Sequence, residues 1–226
     1  MPTDLFYYFN LAKILNEECK EVLIKHKARF RGSLNSICLV SVNYLYTPQL
    51  NLRYPLADAL RRDCSHLDQH LRNFNIMEPK RNTPEKLVQS FIIFKSMETG
   101  HLPFDENIVL ITDEFARLSN DNKLVIDIIG FNKKKVALSL IELKSKRELE
   151  ALKNQLANAA KSVTNDFAFY KSFLKKHGID WDPPFNIEKI AVWPCNDNIN
   201  EKRFLQDIRE IGYCSIGNDI KFNEKR

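Results

Sequence analysis

The chain has 226 residues, 44% of them hydrophobic, with 15 Phe and only 6 Gly, which suits one globular domain, alone or with an extension, and excludes collagen-like or low-complexity sequence. Charged residues make up 28%, and the net charge of +5 with a pI near 8.9 permits a polyanionic partner without demanding one. No run approaches the roughly 20 apolar residues that span a membrane. Asp4 without a long apolar run argues against a signal peptide, and the scattered cysteines (Cys19, Cys38, Cys64, Cys195 and Cys214) read as reduced thiols, so a cytoplasmic protein is expected.

Thr3 can cap a helix to about Lys27, with Leu5, Tyr8, Leu11, Ile14, Leu15 and Leu23 near helical spacing. Ser36–Leu45 is β-branched and apolar and reads as a strand, with a short helix as the alternative. Thr47-Pro48 and Arg53-Tyr54-Pro55 punctuate a loop, and Pro55 opens an amphipathic helix to about Phe74 whose stripe is Leu56, Leu60, Cys64, Leu67, Leu71 and Phe74. A polar break at Met77–Arg81 separates an N-terminal, mainly helical region (1–82) from a core (83–226). Asn82-Thr83-Pro84-Glu85 starts a helix that ends near Gly100.

Three strands follow, Asn107–Leu118, Leu124–Phe131 and Val136–Lys144, with turn chemistry at Ser119–Asn122 and Asn132–Lys135. A long helix is expected from about Lys146 to His177, with Leu149, Leu152, Leu156, Ala159, Ala160, Val163, Phe167 and Tyr170 on its stripe and Gly178 as its stop. After Asp182-Pro183-Pro184, Glu188–Pro194 reads as a strand, Asn200–Ile211 as a helix and Tyr213–Ile216 as a last strand.

Three charged residues interrupt this apolar hairpin. Asp127 lies within Leu124–Gly130, and Glu142 and Lys144 close the next strand. Such groups are buried only when paired, hydrogen-bonded or bound to a metal. A solvated strand end would account for Glu142 and Lys144 alone. Asp127, between Ile126 and Ile128, is harder to account for that way.

The order helix, meander, helix, strand, with Asp127 facing a Glu142-Leu143-Lys144 segment on the adjacent strand, resembles the PD-(D/E)xK nuclease superfamily over roughly residues 83–216. The residue before the first acid is Ile126 where the family motif has proline. The resemblance implies an α/β restriction-endonuclease-like core, a central mixed β-sheet flanked by helices. It implies a metal-dependent endonuclease that uses Mg²⁺, for which Mn²⁺ substitutes. Asp127, Glu142 and the carbonyl of Leu143 would be ligands, and Lys144 a catalytic cation beside the attacked phosphate. Glu142 and Lys144, two apart on a strand, emerge on one face. The family's upstream acid falls to Glu85, with Glu98 and Glu114 as rivals. Gln155 matches a glutamine that supports the site in some branches, although Ala159 stands where their tyrosine would follow.

The basic residues Lys133, Lys134, Lys135, Lys146 and Arg147 are taken to flank the site and to contact phosphates, which gives affinity but no base reading. The expected partner is nucleic acid, with DNA favoured in a restriction, phage-defence or repair setting, and a homodimer where both strands are cut. RNA cleavage, and a non-catalytic nucleic-acid-binding or assembly subunit that keeps the fold, are the alternatives. Cys64, His66 and His70 share a helical window, but no second ligand pair accompanies them and zinc is not expected. There is no Gly-rich phosphate loop and no nucleophile-elbow motif.

Overall fold

Helix α1 (Tyr7–Glu18) is followed after Cys19 by a short α2 (Lys20–Lys25). The computed structural model describes residues 6–34, 37–41, 45–46, 67–68, 84–119, 122–145, 149–195, 207–216 and 219–225. A single helix to Lys27 was expected; Cys19, at φ −102° and ψ 20°, breaks it in two. Leu11, Leu15, Cys19 and Leu23 form one apolar stripe across both pieces. Turning the chain at Cys19 keeps that stripe on a common core with Ala28, Phe30, Ile37, Leu39 and Leu67.

Among the described residues, the N-terminal region carries a small sheet beside its helices. β1 (Ala28–Gly32), β2 (Ile37–Ser41) and β3 (Leu45–Tyr46) form an antiparallel sheet in that order. The expected strand Ser36–Leu45 is thus two strands, with Ile37–Ser41 buried throughout. The outer edge of β1 is covered by a side chain. Asn16 Nδ2 donates to the Phe30 carbonyl at 2.7 Å, and the Phe30 N–H donates to Asn16 Oδ1 at 2.8 Å. One asparagine therefore completes the backbone bonding of an edge position. Asn16→Ala is expected to cost about 2 kcal/mol in urea unfolding, because both Phe30 groups lose their partner beneath α1. Gly32 has no room for a side chain, since a Cβ there would lie 2.4 Å from the Tyr8 carbonyl oxygen. The expected helix Pro55–Phe74 lies outside the described residues except at Leu67 and Asp68, which are helical. Asp68 pairs with His26 at 2.7 Å and Lys25 at 2.9 Å.

The chain divides into two compact units, Met1–Phe94 and Lys95–Arg226. The division falls inside α3 (Pro84–Thr99), whereas the sequence reading draws it ahead of that helix.

The second unit is a mixed α/β fold. β4 (Ile108–Ser119), β5 (Asn122–Asn132) and β6 (Ala137–Leu143) form the expected antiparallel meander. β7 (Asn186–Pro194) runs parallel to β6, β8 (Arg209–Ile216) parallel to β7, and β9 (Asp219–Lys225) antiparallel to β8. The result is one six-stranded sheet in sequential order. A parallel return needs a crossover, supplied between β6 and β7 by α4 (Leu149–Asn165) and α5 (Phe167–Lys176). α4 packs on β5, β6 and β7. Its buried residues Leu152, Leu156, Ala159 and Val163 recur at helical spacing and face the sheet.

Three expectations are corrected here. The long helix is two helices, because Asp166 at φ −120° and ψ 33° leaves helical geometry; the Asn165-Asp166 pair favours such a break, since both side chains compete for backbone bonds. Arg209–Ile211 belongs to β8 and not to a helix, and residues 200–206 lie outside the described residues. Finally β9, which is polar and was not anticipated, forms the sheet edge.

Candidate functional site

The β5–β6 ladder ends early. Its last pair is Ile128↔Ile141, although β5 continues along β4 to Asn122 and β6 continues along β7 to Leu143↔Val192. The two strands therefore part, and Asp127 and Glu142, the next positions in register, stand at the fork. In the alternation of an antiparallel ladder, the next bonded pair would join Leu143 to Ile126. Instead the Leu143 N–H donates to Asp127 Oδ2 at 2.9 Å. A carboxylate has replaced a strand carbonyl, which holds the Asp127 side chain inside the fork. A residue's carbonyl lies on the same strand edge as its amide, so the Leu143 carbonyl also faces the β5 side. The Lys144 N–H bonds the opposite way, to the Val192 carbonyl at 2.9 Å.

Glu142 is 1% exposed. Gln155 Nε2 donates to its Oε2 at 2.7 Å, and Lys144 Nζ lies 3.6 Å from the same oxygen. The other oxygen, Oε1, is buried and receives no hydrogen bond among the described residues. Burial pushes the Glu142 carboxyl up, the charge of Asp127 and a hydrogen bond with it push it further, and Lys144 pulls it back; the balance is a pKa of about 9. Two carboxyls bond each other only when one carries a proton. The fork thus draws in one positive charge, which a proton or a cation can supply. An orphaned carboxylate oxygen, a second carboxylate beside it and an outward carbonyl are all hard oxygen donors. This set fits Mg²⁺, whose remaining positions are commonly filled by water or substrate.

Glu142→Gln should therefore stabilise the protein in chelator, by about 1 kcal/mol or more, since an amide is content in the buried position and can donate to Asp127. A thermal melt with EDTA checks this. The same variant should lose the upward melting shift that Mg²⁺ is expected to give the parent protein.

The structure brings Asp127, Glu142, Leu143, Lys144 and Gln155 together. Gln155 reaches the sheet because it falls between Leu152 and Ala159 on the buried stripe of α4. Glu85 lies on the opening turn of α3, in the first unit. Glu98 is exposed and pairs with Lys95 one turn earlier, at 3.1 Å. Glu114 occupies the β4 position between the pairs Asp113↔Ile128 and Phe115↔Ile126, which is the position across from Asp127. Among the described residues no group of three or more His, Cys, Asp or Glu is placed to hold a metal.

The basic turn does not flank the acids. Lys133–Lys135 closes the opposite end of the β5–β6 hairpin, five residues along each strand, or about 17 Å away. Lys135 is also tied down by Glu188, at 2.5 Å. Lys146 and Arg147 lie outside the described residues, as do Cys64, His66 and His70. One acid escaped the sequence reading. The pairs Glu142↔Ala191 and Ala191↔Glu210 place the buried Glu210 in the cross-sheet row of Glu142. Two strand spacings, about 10 Å, separate its backbone from that of Glu142. Its segment read as helix, which hid the register that would have revealed it.

No family model, curated protein or solved structure matches this chain.

Proposed function

We propose that the second unit is a restriction-endonuclease-like core and that the chain is a Mg²⁺-dependent nuclease, acting by preference on DNA. The observation that carries this reading is the fork itself. Two acids from adjacent strands meet where the ladder parts, one of them buried, with a lysine and a glutamine on the buried one.

Asp127, Glu142 and the Leu143 carbonyl would hold the ion. Bound there, Mg²⁺ would polarise a phosphate oxygen and make a water more acidic. The remaining roles belong to the chain. Asp127 is fixed by the Leu143 amide, and Gln155 fixes the rotamer of Glu142, so neither acid has to be ordered when substrate arrives. Lys144, with its side chain 22% exposed, offers a cation at the solvent side of the fork. It offsets the charge that grows on the phosphate and holds the attacking water. These residues contact the phosphodiester and no base, so RNA is the second substrate to test.

The test is a panel of single- and double-stranded DNA and RNA, incubated with Mg²⁺, with Mn²⁺ and with EDTA. Cleavage that needs the metal and yields 5′-phosphate and 3′-hydroxyl ends supports the reading. Tight binding of the panel without cleavage in any metal would point instead to a non-catalytic nucleic-acid-binding subunit.

A further inference from the structure

Cys195 and Cys214 are neighbours across the parallel pair β7–β8. The last pair in that register is Pro194↔Tyr213, and the next step is Cys195↔Cys214. The Cys195 N–H donates to the Tyr213 carbonyl at 2.7 Å, the bond that this register requires. Parallel neighbours point their side chains to the same face, with Cα atoms about 4.8 Å apart. That separation falls within the span a disulfide bridges, toward its short end. Both cysteines are half-buried and neither is in a disulfide, whereas Cys19 and Cys38 are buried.

We infer that Cys195 and Cys214 form a redox-modified dithiol, which a hydroperoxide converts to an intramolecular disulfide. The chemistry balances with one oxidant molecule. The first sulfur attacks the peroxide O–O bond, giving a sulfenic acid and releasing an alcohol, or water when the oxidant is hydrogen peroxide. The second sulfur attacks the sulfenic sulfur, the S–S bond forms, and the hydroxyl leaves as water with the remaining thiol proton. Two thiols are oxidised by one electron each, and the peroxide takes both electrons. A bridge between directly adjacent strands is geometrically tight, which makes it readily reducible by a dithiol and hence reversible.

The pair also shares a face and an end with the fork. Residues two apart on a strand share a face, so Ala191, Trp193 and Cys195 line up with Glu142, and Glu210, Gly212 and Cys214 follow on β8. One strand across and four residues along puts Cys195 about 14 Å from Glu142. The bridge would change the rim of that sheet end without touching the proposed ligands. Its existence does not depend on what the fork does.

The test treats the full chain with equimolar hydrogen peroxide, blocks the remaining thiols with iodoacetamide and maps the peptides by mass spectrometry. The expected result is loss of two of the five thiols, with the peptides of Cys195 and Cys214 joined, and full recovery in dithiothreitol. The Cys214→Ser variant should form no intramolecular bridge and should trap the Cys195 sulfenic acid, detectable with dimedone. The reciprocal Cys195→Ser variant gives a second check should either one fold poorly. Independent alkylation of both cysteines after peroxide, or a bridge to any other cysteine or between two chains, would overturn the inference.

Discussion

Replacing Lys144 by alanine is expected to lower Mg²⁺-dependent cleavage about a thousandfold and to leave the fold in place. The two halves of that expectation rest on different atoms. The Lys144 backbone is held by the bond from its N–H to the Val192 carbonyl, which alanine keeps. The side chain, half-buried and 3.6 Å from Glu142 Oε2, is what alanine removes. Losing it withdraws a cation that competes with the metal for a buried acid, so the Mg²⁺ requirement should shift to lower concentration even as the rate falls.

Asp127 needs a more careful substitution. Alanine there removes an acid and also the acceptor of the Leu143 N–H, and an unpaired buried amide costs about 1–3 kcal/mol. Asp127→Asn keeps an acceptor oxygen and removes the charge, so it separates chemistry from folding. Both Asp127→Asn and Lys144→Ala should melt within a few degrees of the parent protein in EDTA and lower metal-dependent cleavage about a thousandfold or more. If the parent and Lys144→Ala cut the nucleic-acid panel equally, the nuclease reading fails, whatever the fold.

The meander was legible because its signals are local. Turn residues separate apolar runs of strand length, and the boundaries differ from expectation by only one or two residues. Asp127 was legible for the same reason, as a charge among isoleucines. The fork was not, since it consists of a ladder that stops on one side of a strand and continues on the other. That is a property of four strands in register. β8 shows the opposite difficulty. It is buried along most of its length between two neighbours, so its apolar residues lack the alternation that marks a half-exposed strand, and helical spacing fits them as well. The distance of Lys133–Lys135 from the acids was legible as well. The number of residues between turn and acids was visible in the sequence, and a strand's rise alone puts them far apart.

Arg209→Ala is expected to cost about 2–4 kcal/mol of stability, the largest single loss predicted outside the fork. Arg209 opens β8 and gathers acids from three places. Its Nη1 lies 2.5 Å from Asp105 Oδ2 and 3.7 Å from Glu188 Oε1, and its Nε donates to Glu224 Oε1 at 3.0 Å. Its side chain is 17% exposed and that of Asp105 11%, so water replaces these contacts poorly. Glu188 in turn accepts from Asn132 and Ser139, both buried, which makes Arg209 the counter-charge of a polar cluster spanning β5 to β9. Burial alone would raise the Asp105 carboxyl. Bonds from Arg209 and from the Asn107 backbone and side chain, with the Arg209 charge, outweigh it and hold the carboxyl below its ordinary 3.8. A depressed acid gives stability that is present above its unfolded value and lost as pH falls through the folded one. Burial opposes the charge of Arg209 in the same way, but hydrogen bonds and charges from Asp105 and Glu224 outweigh it and push its pKa up, so its own contribution is constant at any ordinary pH. Urea unfolding from pH 7 to pH 2 should therefore show the parent losing stability steeply below about pH 4, with Arg209→Ala less stable at pH 7 and shallower in that acid limb. A loss at pH 7 under about 0.5 kcal/mol, or an unchanged acid limb, would mean that the cluster is held by its apolar surroundings and not by this guanidinium.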